Sequence, residues 1–168
     1  MVGVSILAVV LAVAAPSYRQ FGRSTRVVTQ ASELHGALTY ARSESLRRGV
    51  RVTVCRSADP QAASPACSSS AGWASGWLVF VDNVQVTGNA AGVVDGTDQV
   101  LRIGEPATGS TVATSGALGA WVTYSPQGLV RTDSGPANGA FTVCQAPYGR
   151  RVAVSPVGLV SSREEACQ

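Results

Sequence analysis

MVGVSILAVVLAVAAPSYRQFGRSTRVVTQASELHGALTYARSESLRRG, residues 1–49, joins two kinds of helix with no turn signal between them. Met1 to Ala15 carry no charge and one hydroxyl, that of Ser5. From Ser17 to Arg48 the apolar positions Phe21, Val28, Ala31, Leu34, Leu38 and Ala41 recur at the spacings of one amphipathic helical face. Arg47 and Arg48 put cations in the last turn, and Gly49 can take the positive φ that ends a helix. Pro16 lacks a backbone donor and crowds the preceding turn, which predicts a kink or local opening where the apolar half meets the polar half. A chain built this way is held in a membrane or packed among copies of itself, with a soluble head on a stalk. The expected division is residues 1–24, the apolar transmembrane or fibre-core half of the helix, and residues 25–168, the globular head.

The head has room for one core, since the whole chain is 168 residues long. Only 14% of residues are charged, mean hydropathy is +0.17 and glycines number 18, which favours a turn-rich β head over a helical bundle and excludes general disorder. All 13 basic residues are arginines, and the net charge is +3. Arginine stays ionised and grips phosphate or carboxylate through two parallel bonds, but so mild a net charge names no partner.

After Gly49 the period changes to two. Val50, Val52 and Val54 alternate with Arg51, Thr53 and Cys55 and predict a half-buried strand. The nearly all-apolar run 76–82 predicts a central strand, and 99–103 and 140–144 predict two more. A weak repeat closes the chain. Thr123-Tyr124-Ser125-Pro126-Gln127-Gly128-Leu129-Val130 is echoed by Ala153-Val154-Ser155-Pro156-Val157-Gly158-Leu159-Val160. Proline presets φ at the second turn position and glycine tolerates the left-handed conformation two places later, so each copy predicts a hairpin. The expected head is one antiparallel sheet of six or more strands with the helix over its apolar face.

Cys55, Cys67, Cys144 and Cys167 lack the Cys-x-x-Cys spacing of zinc or redox motifs. Four cysteines allow three connectivities. The pairs Cys55–Cys67 and Cys144–Cys167 are preferred because each closes a loop beside a strand, and disulfides imply a periplasmic or extracellular head. No cofactor is expected. His35 sits mid-helix and reads as a stalk residue rather than an acid-base group. Asp82, Asn83, Asp95 and Asp98 lack the spacing of an EF-hand loop and read as turn formers.

The run from Val4 to Phe21, with its Ala-Pro near the middle, resembles the N-terminal helix of type IV pilins and type II secretion pseudopilins. The stretch Tyr40 to Gly49 followed by Val52-Thr53-Val54-Cys55, then Trp73 with Gly76 to Asp82, then Gly149-Arg150-Arg151-Val152-Ala153-Val154-Ser155-Pro156 with Gly158, is similar to the GspH/FimT family. The resemblance implies an α+β, pilin-like fold: a long N-terminal helix packed on an antiparallel head. It also implies a non-enzymatic minor pilin or pseudopilin that helps build or cap a helical fibre of other pilins, held before assembly in the bacterial inner membrane. Val4, Ile6, Leu7, Val10, Leu11, Val13, Pro16 and Phe21 would then pack in the membrane and in the fibre.

At its start the sequence departs from the family's pattern, without the basic leader, the peptidase-site Gly, the methylated Phe and the near-terminal Glu. The expectation is a start assigned at an internal Met, with a prepilin peptidase as partner if the true N-terminus extends upstream. A run of fifteen apolar residues is itself short of the roughly 20 that cross a bilayer. DNA uptake, the activity associated with the FimT side, uses a Gly-Arg-x-Arg in the last hairpin, where this chain reads Gly158-Leu159-Val160-Ser161. Arg131, Arg150, Arg151 and Arg163 are the arginines left to form a DNA-binding rim, with Glu164 and Glu165 opposing a polyanion. A further alternative is a secreted β-rich protein whose signal peptide is cut after Ala12-Val13-Ala14.

Overall fold

The computed structural model describes residues 2–167, with side chains from Gln20 onward. The described residues form one α-helix, then ten strands with one short turn of 3-10 helix among them. Helix α1 spans Val2–Arg48. It is unbroken at Pro16, so the local opening expected there does not form. One missing N–H removes one intrahelical bond, and the bonds of the neighbouring turns can carry the helix across it. The packing roles expected of Val4, Ile6, Leu7, Val10, Leu11, Val13 and Pro16 fall outside the described side chains. At the other end the Gly49 N–H donates to the Ser45 carbonyl at 3.0 Å with φ of +66°, the left-handed stop that the sequence predicts.

The strands form two antiparallel sheets where the sequence predicts one. The six-stranded sheet runs β3 (Gln99–Gly104), β2 (Trp77–Val81), β1 (Val52–Arg56), β5 (Trp121–Tyr124), β6 (Val130–Thr132), β7 (Gly135–Pro136). The four-stranded sheet runs β10 (Val160–Glu164), β9 (Tyr148–Val154), β8 (Gly139–Gln145), β4 (Thr111–Gly116). Strand β4 has no counterpart in the sequence reading: five of its six residues are exposed, so no apolar alternation marks it. The two repeat copies are hairpins, β5–β6 and β9–β10, but they belong to different sheets.

Both sheets turn an apolar face to α1. Val27, Ala31, Leu34, Ala37, Leu38 and Ala41 meet Val52, Val54, Val79, Val122, Phe141, Val143 and Val152 in one core. The face is rotated from the expected one: Val28 is 39% exposed and Val27 is buried. Four residues back from Ala31 is Val27, and Val28 lies about 100° further round. Trp73, in a turn of 3-10 helix at Trp73–Ser75, ties the layers together. Its indole N–H donates to the Gly119 carbonyl at 2.9 Å, and its ring meets Phe141 edge-on at 4.8 Å.

Strand β1 is buried on both faces rather than one. Val52 and Val54 face α1, while Cys55 joins Leu78 and Phe80 in a second cluster covered by Cys67, Val94, Val100 and Trp121. The disulfide Cys55–Cys67 therefore clamps the loop after β1 over the sheet's far face. The second disulfide, Cys144–Cys167, ties the C-terminus to the end of β8.

Candidate assembly surface

Helix α1 divides at the point where it leaves the head. From Val27 to Ser45 one face is buried, whereas Phe21 is 71% exposed. The segment 2–24 is 23 residues of the same unbroken helix, about 34 Å at 1.5 Å per residue. Among residues with described side chains no helix is long and apolar enough to cross a membrane, and the apolar run 1–15 lies outside them.

A groove of about 410 Å³ opens where the helix leaves the head, between Val27 and Val28 on one side and Pro147, Tyr148, Glu164 and Glu165 on the other. The C-terminal disulfide builds its far wall: the Glu165 N–H donates to the Gly149 carbonyl at 3.1 Å and the Cys167 N–H to Pro147 at 3.4 Å. Glu165 meets Arg151 at 3.8 Å through Oε1, while its Oε2 is buried without a partner.

The opposite end of the head is made by the two repeated turns, which dock on each other. In each, the glycine N–H returns to the serine carbonyl, Gly128 to Ser125 at 2.8 Å and Gly158 to Ser155 at 2.9 Å. The Val130 N–H then donates across to the Pro156 carbonyl at 3.0 Å, joining the two sheets. Arg42 of α1 lies against both glycines and donates from Nη2 to the Val157 carbonyl at 3.2 Å. Around this joint Leu46, Leu129, Val157 and Leu159 are 51, 52, 55 and 61% exposed. The sequence repeat identifies both turns, but the lengths of chain between them gave no sign that they meet.

Glu44, in the same last turns of α1, accepts from Arg47 Nη2 at 2.7 Å and from Arg48 Nε. The Arg47 bond, then the Arg48 bond, hold its carboxyl below the ordinary value. Beneath the far face of the large sheet Asp82, 2% exposed, accepts from Thr53 Oγ1 at 2.7 Å and from the Gly92 N–H at 3.1 Å. Asp98 caps the loop by accepting from the Asn83 N–H at 2.9 Å, and burial raises its pKa. Asp82 and Asp98 thus hold the loop that follows β2. Among the described residues no group of three or more His, Cys, Asp or Glu is arranged to hold a metal.

Of the four candidate DNA-binding arginines the structure brings Arg151 and Arg163 together as cross-strand partners and leaves Arg131 and Arg150 apart from them. Arg131 is on β6, in the large sheet. Arg150 and Arg151 are successive residues of β9, so they point to opposite faces; Arg150 lines the groove and bonds Ser162 Oγ at 3.3 Å. Arg163 stands opposite Arg151 in register, and Arg151 pairs with Glu165.

One long N-terminal helix laid across antiparallel sheets is the pilin fold. The model of the family described as Type II transport protein GspH matches residues 30–158, from the packed part of α1 to the second repeated turn, and the chain belongs to that family. Two crystal forms of FimU, a type IV minor pilin of Pseudomonas aeruginosa, are similar in fold. One has a TM-score of 0.60 at 21% identity, covering 88% of this chain and 97% of FimU. The other has a TM-score of 0.56 at 21% identity, covering 83% and 96%. No curated protein matches the chain in sequence.

Proposed function

We propose that the chain is a non-enzymatic minor subunit of a type IV pilus or a type II secretion pseudopilus. Helix 2–24 packs among the N-terminal helices of neighbouring pilin-like subunits, and the disulfide-closed head faces outward. The observation that carries this reading is the 47-residue helix, whose packed half fits the head and whose other half continues unbroken beyond it. An apolar helix of that length has little reason to remain helical in water without neighbours, since helices gain most of their stability from packing. Before assembly the same apolar end holds the chain at the inner membrane. Arg151 and Arg163 stand side by side with Glu165 paired to Arg151, while Arg131 is in the other sheet and Arg150 on the other face, an arrangement that favours fibre building over phosphate binding, which needs cations gathered along one groove.

Phe21 supplies the test, because it is exposed at the border of the two halves. A photo-reactive phenylalanine analogue placed there, in cells that assemble the fibre, is expected to cross-link to the N-terminal helix of another pilin-like subunit. Adducts formed with lipid alone, or with no protein in the fibre fraction, overturn the reading.

A further inference from the structure

We propose that a cavity on the far face of the large sheet binds the head of an α-amino acid, a carboxylate and an ammonium on one carbon. The site does not depend on the fibre reading above.

The cavity, about 600 Å³, lies where the start of β1, the end of β2 and the first repeated turn come together. Val52 and Val54 face α1, so Arg51 and Thr53 point to the other side of the sheet. Thr53 is paired in register with Thr123, and Thr123 with Arg131, which sets three side chains in one row on that far face. The Asp82 N–H donates to the Arg51 carbonyl at 3.0 Å and carries the ladder one residue past β2, bringing the Asp82 carboxylate beside Arg51. Arg51, Asp82, Thr123 and Arg131 all line the cavity.

The groups left over there are of both kinds. Asp82 is 2% exposed: its Oδ2 accepts from the Thr53 hydroxyl at 2.7 Å and the Gly92 N–H at 3.1 Å, while its Oδ1 has no partner among the described residues. An acceptor buried in this way is costly until a donor meets it. Because the Thr53 proton goes to Asp82, the 2.5 Å contact between the Thr53 and Thr123 hydroxyls uses the Thr123 proton. Thr123 Oγ1 then offers a ligand only lone pairs. On the donor side, Arg51 Nε is buried without a partner, and Nη2 stands 3.6 Å from Asp82 Oδ2, too far for a hydrogen bond. Arg131 is exposed and is in none of the ion pairs of the described residues.

This set selects by charge. A phosphate or a simple carboxylate meets the two guanidiniums but brings only acceptors to Asp82, which repels it. A lone ammonium meets Asp82 and Thr123 and is repelled by two cations. A zwitterion satisfies both halves, its N–H groups on Asp82 Oδ1 and Thr123 Oγ1 and its carboxylate on Arg51 Nε and Arg131. Arg51 and Asp82 are only 3.6 Å apart, so the ligand's own charges must be equally close, as they are on one α-carbon. The volume exceeds that head, and Asn83, Gln85 and Gln127 line the rest, which suits a polar side chain behind it. The head comes from a free amino acid or from a larger molecule that carries one.

Isothermal titration of the full chain in detergent micelles tests this with L-glutamine and Nε-acetyl-L-lysine as probes. Saturable binding with a Kd below about 1 mM is expected for at least one of them. Tighter binding of L-glutamine assigns a free amino acid, tighter binding of Nε-acetyl-L-lysine a head borne on a larger molecule, and both support the proposal. L-glutaminamide, which lacks the carboxylate, Nα-acetyl-L-glutamine, which lacks the ammonium, and glycyl-L-glutamine, which moves the ammonium away, are each expected to bind at least about tenfold more weakly than L-glutamine. Asp82→Asn and, separately, Arg131→Gln are expected to weaken binding about tenfold. Asp82 also holds its loop, so melting temperature checks that variant, and the exposed Arg131→Gln, expected to melt as the native chain does, decides the matter if Asp82→Asn fails to fold. No saturable binding of either probe, an analogue that binds as tightly as L-glutamine, or unchanged affinity in Arg131→Gln overturns the proposal.

Discussion

Gly158 shows how much of the head's architecture depends on one missing side chain. Its φ is +80°, and a Cβ there would collide with the Gly128 carbonyl and press on Arg42. Gly88 has a φ of +98° with nothing within 4 Å of the corresponding position. Gly158→Ala should therefore cost about 2–4 kcal/mol, the left-handed strain plus the collision, and Gly88→Ala only about 1 kcal/mol. Urea unfolding of the full chain in mild detergent, followed by tryptophan fluorescence, measures both. At this scale the sequence was informative wherever the chemistry is local. The Ser-Pro-x-Gly turns and the Gly49 stop each follow from residues within four places of one another. The docking of Gly158 on Gly128 did not follow, because it joins residues thirty apart in sequence through a backbone contact that leaves no pattern. The shift of the buried face from Val28 to Val27 has a different origin. Both residues are valine, and hydrophobicity cannot choose between them.

Among the elements, α1 and the two disulfide loops offer the clearest measurements. Glu44 closes the C-terminal turn of α1, and its depressed pKa makes it a source of pH dependence. A carboxylate held below its ordinary value stabilises the fold fully above about pH 4.5 and loses that contribution as the pH falls through the lower, folded-state value. Glu44→Gln should be less stable than the native chain at neutral pH, with the difference shrinking below pH 4.5. Melting temperatures taken across that range check the sign. The Cys144–Cys167 bond closes 23 residues and builds the groove wall, so replacing both cysteines with alanine should cost about 3 kcal/mol by the chain-entropy relation and free the segment from Glu164 onward to limited proteolysis. Strand existence was largely legible, because β1, β2, β3, β5, β8, β9 and β10 announce themselves by apolar runs and turn signals. Their sorting into two sheets was not, since pairing is a long-range choice. Strand β4 was invisible because its small polar residues fit an exposed edge and equally fit a loop.

For the molecule as a whole, the central claim is that the apolar half of α1 is a working part of the protein and the head is its outward-facing load. The resemblance carried by residues 40–82 and 149–158 pointed to the GspH/FimT family and its pilin-like fold, and the matching family model together with the observed fold bears out that membership. Strand alternation and sheet membership set Arg131 and Arg150 apart from the cross-strand pair Arg151 and Arg163. The measurement that tests the claim most directly is incorporation. Full-length chain and a variant lacking residues 2–24, each epitope-tagged at the C-terminus, are expressed in cells that build the fibre, and sheared fibres are collected by sedimentation. The full chain is expected in the fibre fraction, and the truncated chain is expected to stay behind with both disulfides formed and its head folded. Recovery of the truncated chain in the fibres at the level of the full chain would contradict the account.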